Sequence, residues 1–545
     1  MPTMEVDGQM VSWEGKKTIL QACNDANVPI PHYCYHAGLS IVASCRICLV
    51  EMESPDPKDP AKMVKLPKLT PSCQTPAVDR MKVTSKSPKA VANQKAVMEF
   101  LLINHPLDCP VCDQAGECYL QDYSFNYGRA ESRFEEDKIK NPKKDIGLHV
   151  LLYSDRCILC TRCVRFTREI SGSGELAVFG RGAREEIDVF PGKTVDNPLS
   201  ANVIDICPVG ALLDKDFLFS QRVWFLKSAA SISPISSGGE NIFIHHNHGR
   251  IYRIKPRFNA DVNKWWISDE ARYTWQFVHE NRLHACHRMQ YGSFVETSWE
   301  RAYAQTTEDL QKAVRDNGPG STAAVLSPFA STEEMFLHAK FARSIDPQAW
   351  LAVTPPRIDG QDQVFKNPAT GAVTFTIRAE KAPNRRGAEK ITAHFGGNAC
   401  ALEELAEKIK NKKVMAVLAS ADPLPGMDKP VLAAIGAAPT LIALTSRHTG
   451  LYEKAGLSMP TCTWAEKAGV YENCDGRIQA FQQAIDPLEN CRSDGRIFWD
   501  LLAHEGTHSA AAVRHEMAAA GLADYANVAI PQVEKPLEVM EFSAL

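Results

Sequence analysis

Cysteine placement constrains this chain more than any other feature of its sequence. Twelve of the 17 cysteines lie before residue 210, and eleven of those twelve fall, with one histidine, into three groups of four. The first eight residues, Met1–Gly8, have neither the basic nor the apolar region of a signal peptide. In a chain that is not secreted, metal ligation explains grouped cysteines better than disulfide bonds do. The sequence therefore predicts three metal centres before residue 210.

The first group follows a pattern typical of a small β-rich domain over residues 1–82. Alternating residues around Asp7-Gly8 predict a hairpin, and Thr18 is placed to cap a helix over 19–26. A loop cysteine, a CxxC pair and a remote fourth cysteine then follow, as in plant-type ferredoxins. This group consists of Cys34, Cys45, Cys48 and Cys73. We therefore predict a ferredoxin-type β-grasp domain that holds a [2Fe–2S] cluster.

Two further stretches of this domain carry weaker expectations. Cys23 falls inside the predicted helix without a partner at metal spacing, so we expect a small buried hydrophobe. Residues 54–70 are rich in Pro, Lys and Asp without hydrophobic period, so we expect a surface loop.

The second group leaves the metal open. It consists of His105, Cys109, Cys112 and Cys118. A helical pattern over 88–104 delivers His105 to the site, in a mainly helical domain over 83–145. Three thiolates and one imidazole suit either zinc or an iron–sulfur cluster, and the spacing does not choose between them. The basic run 138–144 is most simply a solvated connector.

The third group decides the chemistry. It consists of Cys157, Cys160, Cys163 and Cys207, within residues 146–220. CxxCxxC followed at a distance by Cys-Pro is the pattern of [4Fe–4S] ferredoxins, and it crowds the thiolates too closely for the usual zinc knuckles. Two of the three groups thus favour iron–sulfur chemistry independently. The second group is then most simply a cluster site as well.

Three such groups in succession, the second with a histidine, resemble the large iron–sulfur subunit of the NADH–quinone oxidoreductases of respiratory complex I. The resemblance covers residues 1–220 with every ligand position filled. It implies one [2Fe–2S] cluster on the first group and a [4Fe–4S] cluster on each of the other two, with no catalytic residue. It also implies that electrons pass from a flavin- and NADH-binding subunit toward a ferredoxin-like [4Fe–4S] subunit near quinone, among other peripheral-arm subunits.

Residues 221–280 resemble the next iron–sulfur domain of this family with its thiolates replaced. The positions at the family's spacing hold Ser233, Ser236, Glu240 and Ser268. Serine and glutamate are poor iron–sulfur ligands beside thiolate. We therefore expect no fourth cluster here.

Residues 281–545 resemble a shortened molybdopterin-oxidoreductase domain. Apolar runs at 322–326, 413–419 and 440–444 alternate with helical patterns at 331–344 and 430–437, which predicts a partly parallel α/β sheet. Residues 355–396 lack clear periodicity. The stretch 463–479 is similar to one near the pterin in active members. No metal ligand stands out in a suitable loop, so we expect no molybdopterin.

The remaining candidate ligands of the second half have simpler interpretations. The histidines His245, His246 and His248 fit an exposed hairpin with an Asn-His-Gly turn better than a metal site. The scattered cysteines fit core or surface thiols better than ligands: Cys286, Cys400, Cys462, Cys474 and Cys491. The expected fold class is thus a multidomain chain of α/β and α+β parts.

Composition excludes several classes of function. A net charge of −4 and a pI of about 6.5 give no basic surface for nucleic acid. No GxGxxG follows a strand and no P-loop occurs, so we expect no NADH site, and no quinone site, in the chain itself. No apolar run is long enough to span a bilayer. We expect a peripheral protein on the cytoplasmic side of the bacterial inner membrane, in contact with the membrane through partners only.

Two other functions compete with this interpretation. A diaphorase-type iron–sulfur subunit of an NAD-linked hydrogenase or formate dehydrogenase shares the three groups, but hydrogenases and active molybdoenzymes need ligands that are missing after residue 210. A zinc-stapled scaffold would use the same cysteines without electron transfer.

Overall fold

The computed structural model describes residues 1–59, 61–424 and 426–531, and these residues form two compact units. The first unit comprises Met1–Leu226 and Val364–Phe375, and the second comprises Lys227–Gln363 and the described residues from Thr376 onward. The five domains expected from the sequence subdivide these units more finely, and their boundaries stay predictions.

Short strands and helices alternate with long loops in the first 226 residues. The strands are β1 Thr3–Val6, β2 Gln9–Ser12, β3 Leu49–Pro55, β4 Met63–Lys65, β5 Thr70–Pro71, β6 Lys82–Thr84, β7 Lys143–Asp145, β8 Val150–Tyr153, β9 Leu176–Phe179, β10 Glu186–Val189 and β11 Leu212–Asp214. The helices are α1 Ile19–Asp25, α2 Pro88–Leu102, α3 Tyr119–Tyr127, α4 Arg162–Glu169 and α5 Asn202–Asp205.

Longer elements follow. The strands are β12 Lys227–Ile232, β13 Asn241–Asn247, β14 Arg250–Pro256, β15 Cys286–Gln290, β16 Ser293–Thr297, β17 Thr322–Leu326, β18 Trp350–Val353, β19 Arg357–Ile358, β20 Gln363–Lys366, β21 Val373–Ile377, β22 Glu380–Lys381, β23 Ala416–Ser420, β24 Thr440–Thr445, β25 Leu457–Pro460, β26 Gly469–Glu472 and β27 Ile478–Phe481. The helices are α6 Asp269–Tyr273, α7 Trp299–Asn317, α8 Thr332–Ile345, α9 Arg385–Phe395, α10 Leu402–Lys410, α11 Asp428–Ile435, α12 Gly450–Lys454, α13 Asp494–Leu501 and α14 Ala510–Ala519.

The N-terminal sheet forms around the predicted hairpin. Strands β1 and β2 pair antiparallel across Asp7 and Gly8, both with positive φ, and the sheet order is β2-β1-β6-β3-β4 with β5 beside β3. Thr18 and Gln21 cap α1 reciprocally, which fixes its start as predicted. Cys23 is fully buried in the core of this sheet and helix, as expected.

The expectation of a surface loop over 54–70 holds only in part: the described residues of the stretch are exposed or half-buried, but strands occupy part of it. Strand β3 continues to Pro55, and β4 pairs with it antiparallel, Lys65 opposite Glu53. Strand β4 ends the sheet order and its side chains are largely exposed, so it carries no alternating hydrophobic signal.

The basic run 138–144 is largely exposed, as expected, but its two half-buried lysines, Lys138 and Lys144, have tertiary partners. Lys138 Nζ donates to the carbonyls of Leu102 and Ile103, both at 2.8 Å, and so caps the C-terminus of α2. Lys144 lies in β7 and forms ion pairs with Glu186 and Asp188. Both lysines therefore bind groups that are remote from them in the sequence.

The second unit is built on a seven-stranded sheet in the order β16-β15-β25-β24-β23-β17-β18. The five strands from β25 to β18 run parallel, which confirms the predicted α/β sheet. Strands β17 and β23 are buried throughout, as strands covered on both faces must be. Ser331 and Glu334 cap α8 reciprocally.

Two other stretches bear on the predictions. Strands β13 and β14 form the expected hairpin, with His248 and Gly249 at positive φ in its turn. Residues 355–396, which lack a sequence period, contain four short strands and α9. These strands have two to five residues each, too few to show a period.

Candidate iron–sulfur ligand sets

The first set pairs its thiols two by two. The Cys34 thiol lies beside that of Cys45, and the Cys48 thiol lies beside that of Cys73. In each pair the neighbouring thiol lowers the pKa of one member, Cys34 or Cys48, and the pKa of the other member is raised. Two thiols beside two thiols is the arrangement that a cluster of two irons requires, with two thiolates on each iron.

The second set lies where α2 ends and α3 begins. Cys109 opens a single 3₁₀ turn, Cys112 closes it, and Cys118 is the N-cap residue of α3. Burial raises the pKa of the Cys118 thiol to about 12, and the neighbouring Cys112 and Cys109 raise it further. The structure thus brings the three cysteines together.

His105 follows α2 by three residues. Burial lowers the pKa of its imidazole to about 4, and the cations of Arg156 and Lys138 lower it further. Arg156 also lies near Cys112, whose thiolate it favours. A buried neutral imidazole is the form that binds a metal.

The third set surrounds one small enclosed cavity. All four thiols, of Cys157, Cys160, Cys163 and Cys207, line this cavity of about 20 Å³ together with apolar side chains such as Leu152 and Val209. Leu159 and Thr161 adopt positive φ, which turns the chain tightly enough to point three cysteines at one volume. Burial raises the pKa of each thiol, so a bound cation is needed to hold them as thiolates.

Backbone contacts join the third set to the second. The Tyr119 N–H, directly after Cys118, donates to the Pro208 carbonyl, directly after Cys207, at 3.1 Å. A Cβ at Gly210 would collide with the Cys112 Sγ, so only glycine permits this approach. Arg156, which precedes Cys157, forms an ion pair with Asp108, which precedes Cys109, at 2.7 Å.

Two buried arginines of α4 join the third set to the first. Arg165 Nη2 donates to the carbonyl of Cys34 at 2.5 Å and to that of Cys160 at 3.2 Å. Arg162 donates to the Tyr35 carbonyl at 2.6 Å and to the Ile206 carbonyl at 3.2 Å. The first and second sets also adjoin, since the hydroxyl of Tyr33, directly before Cys34, donates to the carbonyl of Tyr119, directly after Cys118, at 3.5 Å. Each ligand set therefore lies next to the other two.

The ligand patterns did not predict these connecting residues. Arg156 directly precedes Cys157, and Arg162 and Arg165 lie on either side of Cys163. The only hint in the sequence was therefore three arginines within and next to one run of cysteines. Their roles depend on acceptors up to 131 residues away. No local pattern reports such contacts.

In residues 1–59, 61–424 and 426–531, no three His, Cys, Asp or Glu side chains form a group arranged around a single metal ion.

In the second unit, two of the four positions that would continue the series, Glu240 and Ser268, form a closed polar group. Glu240 is buried, and its carboxylate accepts from the Ser268 N–H at 2.7 Å and from the Ser268 hydroxyl at 2.9 Å. The Ser268 hydroxyl in turn accepts from Ala271 N–H and caps α6. Ser233 and Ser236 are buried beside short turns of their own.

The stretch 463–479 donates hydrogen bonds to the loop that precedes Glu240. Asn473 Nδ2 donates to the Gly238 carbonyl at 3.1 Å, and Gln479 Nε2 donates to the Gly239 carbonyl at 3.2 Å. The stretch thus holds the loop between Ser236 and Glu240 in place. The contacts of Asn473 and Gln479 are thus made with the backbone of the protein itself.

The other candidate ligands of the second unit lie apart from any such set. His245 Nδ1 accepts from Arg253 Nε within the hairpin. The five later cysteines are free thiols; Cys286, Cys462 and Cys491 are buried, whereas Cys400 and Cys474 are half-buried. No helix in the described ranges combines the length and apolar character needed to cross a bilayer.

Comparison with protein families divides the chain as the ligand sets do. The matched families are described as a 2Fe-2S iron-sulfur cluster binding domain (residues 2–88), the NADH-ubiquinone oxidoreductase-G iron-sulfur binding region (94–133), the NADH-quinone oxidoreductase subunit 3 ferredoxin-like domain (147–213), the NADH-ubiquinone oxidoreductase NDSU1/NuoG-like 4Fe-4S domain (226–276) and molybdopterin oxidoreductase (383–504). The multidomain mixture of α and β parts expected from the sequence is confirmed at this level.

Individual relatives agree. An NADH-quinone oxidoreductase subunit of Rickettsia felis is 40% identical over 337 residues, which are 62% of this chain and 48% of the relative. The NADH-ubiquinone oxidoreductase 75 kDa subunit of Reclinomonas americana is 42% identical over 317 residues, 58% of this chain and 44% of the relative. The mitochondrial NADH dehydrogenase [ubiquinone] iron-sulfur protein 1 of Solanum tuberosum is 44% identical over 308 residues, 56% of this chain and 40% of the relative. The chain spans about half the length, or less, of these relatives. The resemblance to the large iron–sulfur subunit of complex I is confirmed.

A solved structure is also similar in sequence. It is titled as the crystal structure of an NAD+-reducing [NiFe]-hydrogenase in the H2-reduced state, at 28% identity over 41% of this chain and 91% of that chain. The TM-score of 0.36 is too low to support an argument about the fold.

Proposed function

We propose that this chain is the iron–sulfur electron-transfer subunit of an NADH–quinone oxidoreductase, related to the large iron–sulfur subunit of complex I. One observation carries the proposal: three ligand sets, matched to iron–sulfur binding families, lie next to one another in one unit. In this proposal the chain accepts electrons that a flavin- and NADH-binding subunit has taken from NADH, and passes them on toward quinone.

Each set has a proposed cofactor. The first set (Cys34, Cys45, Cys48, Cys73) would hold a [2Fe–2S] cluster, since its thiols pair two by two. The second (His105, Cys109, Cys112, Cys118) and the third (Cys157, Cys160, Cys163, Cys207) would each hold a [4Fe–4S] cluster. When bound, such clusters supply one-electron transfer at potentials tuned by their surroundings. The chain supplies orientation, burial and close contact between the sets.

The absence of further cofactors is also part of the proposal. The polar group formed by Glu240 and Ser268 satisfies its own hydrogen bonds, which leaves no free donor for a fourth cluster at that point. Elsewhere in the second unit, buried Lys467 forms an ion pair with buried Glu334 at 2.6 Å, and Ser420 donates to Asp494 at 3.0 Å. These contacts support a structural role for the molybdopterin-like domain, without molybdopterin.

An exposed apolar surface surrounds the second set. Leu107 is 87% exposed, Val111 58% and Phe125 91%, and Cys109 is exposed among them. Exposed apolar side chains beside an electron-transfer ligand mark a docking site. We propose that the ferredoxin-like [4Fe–4S] subunit docks here, with other peripheral-arm subunits placing the chain beside the cytoplasmic side of the membrane.

Metal and acid-labile sulfide analysis, followed by low-temperature EPR of the reduced protein, tests the proposal. We expect iron with sulfide, one binuclear signal and two tetranuclear signals. Zinc without sulfide would show the scaffold function instead. Molybdenum in the purified protein would contradict the cofactor-free second unit.

Substitution tests the docking surface separately. We expect the double variant Leu107→Ser/Phe125→Ser to bind the purified ferredoxin-like subunit about tenfold more weakly or worse, because exposed apolar anchors dominate such interfaces. Met10→Ser is the control, since Met10 is 64% exposed on β2 in the N-terminal sheet. Equal binding by both variants and the unsubstituted protein would remove the docking proposal and leave the cluster assignment intact.

A further inference from the structure

Arg165 lies between the first and the third ligand set. Its guanidinium donates to the carbonyls of Cys34 and Cys160, a ligand of the first set and a ligand of the third. Its other donors bond the Ser40 carbonyl at 2.5 Å and the Thr161 carbonyl at 3.3 Å. Arg165 is thus in direct hydrogen-bond contact with residues of both sets.

The charge of Arg165 is buried without a carboxylate partner. The residue is 7% exposed, and no carboxylate in the described part of the chain lies within 4 Å of its guanidinium. Glu169 is the acid whose charge acts on it, but the Glu169 carboxylate is engaged by the N–H and hydroxyl of Ser40. A buried cation is costly unless an anion compensates it.

The guanidinium of Arg165 lies against the backbone of two candidate ligands, because it donates to the carbonyls of Cys34 and Cys160. Clusters bound to the first and third sets would therefore be the anions nearest to it. Four thiolates give an iron–sulfur cluster a net negative charge, which grows by one on reduction. The missing counter-charge of Arg165 is therefore the charge of the two clusters.

We propose that Arg165 is the shared counter-cation of the first and third ligand sets, and that it raises the reduction potentials of both clusters together. This inference rests on the proposed function, since it needs loaded clusters. A positive charge shared by two neighbouring carriers stabilises an added electron on either one. Arg165 is a positioning residue, because it contacts ligand backbones and not the iron.

The neighbouring arginine supports the same bridge. Arg162 is 2% exposed and spans the same two sets through the Tyr35 and Ile206 carbonyls. By contrast, Arg168 lies on the same helix α4 with its side chain exposed. Arg168 is therefore a control with equal charge and a different position.

Potentiometric titration with EPR detection of each cluster tests the proposal in the complete protein. In Arg165→Gln we expect the midpoints of the first and third clusters to move to more negative potential by about 59 mV each, a tenfold change in a one-electron equilibrium. The second cluster should move less, because its ligands do not contact Arg165. Arg165→Lys, which keeps the charge, should stay near the original midpoints, and Arg168→Gln should not move them.

Three results would overturn the inference: unmoved midpoints in Arg165→Gln, an equal shift of all three clusters, or an equal shift in Arg165→Lys. If Arg165→Gln loses iron, Arg165→Met takes its place as the neutral variant, and midpoints equal to those of Arg168→Gln would overturn the inference. Failure of the proposed function is distinguishable, because the unsubstituted protein would then lack sulfide and cluster signals altogether.

Discussion

The third ligand set and the polar group at Glu240 show two ways to fill a buried loop. In the third set, four thiols line a small cavity, and burial raises the pKa of each. In the second unit, Glu240 and Ser268 satisfy each other and cap a helix. The thiols depend on a cation to become thiolates, whereas the polar group needs nothing further.

This difference concerns stability as much as function. Metal binding free energy contributes to folding wherever buried ligands cannot satisfy one another. Clusters on the three proposed sets would contribute such free energy to the first unit, while the second unit relies on apolar burial around α8 and β17 and on internal ion pairs such as Arg282–Glu466 at 2.8 Å. We therefore expect the two units to respond differently to the loss of iron.

Iron removal should give the largest effect. After chelation under reducing conditions, we expect amide exchange in α4 and the loops around it to accelerate by about a hundredfold or more, the scale for loss of a tightly bound ligand. Exchange in α8 should change little. Peptide-resolved hydrogen exchange on the full chain measures both, and equal acceleration in the two units would contradict the comparison.

Removal of a single thiol should give the next largest effect. We expect Cys160→Ala to lose one tetranuclear cluster, about four iron and four sulfide per chain. Cys400→Ala is the matched control, since Cys400 is a half-buried thiol of the second unit, and it should retain all iron. Iron and sulfide analysis measures both variants. Full iron content in Cys160→Ala would exclude Cys160 as a ligand.

Substitution of Glu240 should give a smaller effect, which is a loss of stability without a loss of iron. We expect Glu240→Ala to destabilise α6 by about 2–4 kcal/mol, because it removes the acceptor of two buried Ser268 donors. Glu240→Gln keeps an acceptor oxygen and should cost about half as much or less. Hydrogen exchange of α6 measures the loss. Iron content should be unchanged in both variants, and a fall in iron would place a cluster at this group after all.

The sequence predicted those features that depend on interactions between residues close together in the chain. The ligand sets were predictable because spacing and side-chain chemistry are local properties. The capped helices α1 and α8 were predictable for the same reason, from Thr18 and Ser331. The ligand roles themselves stay predictions until metal is measured.

What the sequence could not predict depends on remote partners. The contacts between the ligand sets rest on hydrogen bonds such as that from Arg165 to Cys34, which lie 131 residues apart in the sequence. Gly210 looks like a simple turn residue until Cys112 is found against it. The edge strand β4 and the cap by Lys138 were missed because exposed edges and lysine caps leave no hydrophobic pattern.

The smallest expected effect concerns acid, and it belongs to the second unit. His338 is 1% exposed, its ring stacks on Phe498 with centroids 4.4 Å apart, and burial lowers its pKa to about 3. The unfolded chain binds this proton near pH 6.5, so the unfolded state gains protons first as the pH falls. Stability should therefore fall between pH 6.5 and pH 3, by about 2 kcal/mol from pH 7 to pH 5.

Asp494 opposes this slope within the same core. Burial, with Glu334 nearby, raises its pKa to about 6, so the folded state binds its proton first, and stability falls as the pH rises from about 4 to about 6. The unsubstituted protein shows the sum of the two slopes. A variant that removes one titrating group separates them.

His338→Gln isolates the histidine contribution. We expect its unfolding free energy to lose about 2 kcal/mol less than that of the unsubstituted protein between pH 7 and pH 5, because glutamine binds no proton in this range. His248→Gln is the control, since His248 is exposed in the β13–β14 turn and should leave the slope unchanged. Urea titration with peptide-resolved proteolysis of α8 measures each slope. Parallel slopes for all three proteins would show that acid acts on the second unit through some group other than His338, and the contrast between an iron-dependent and a proton-dependent unit would then rest on the first unit alone.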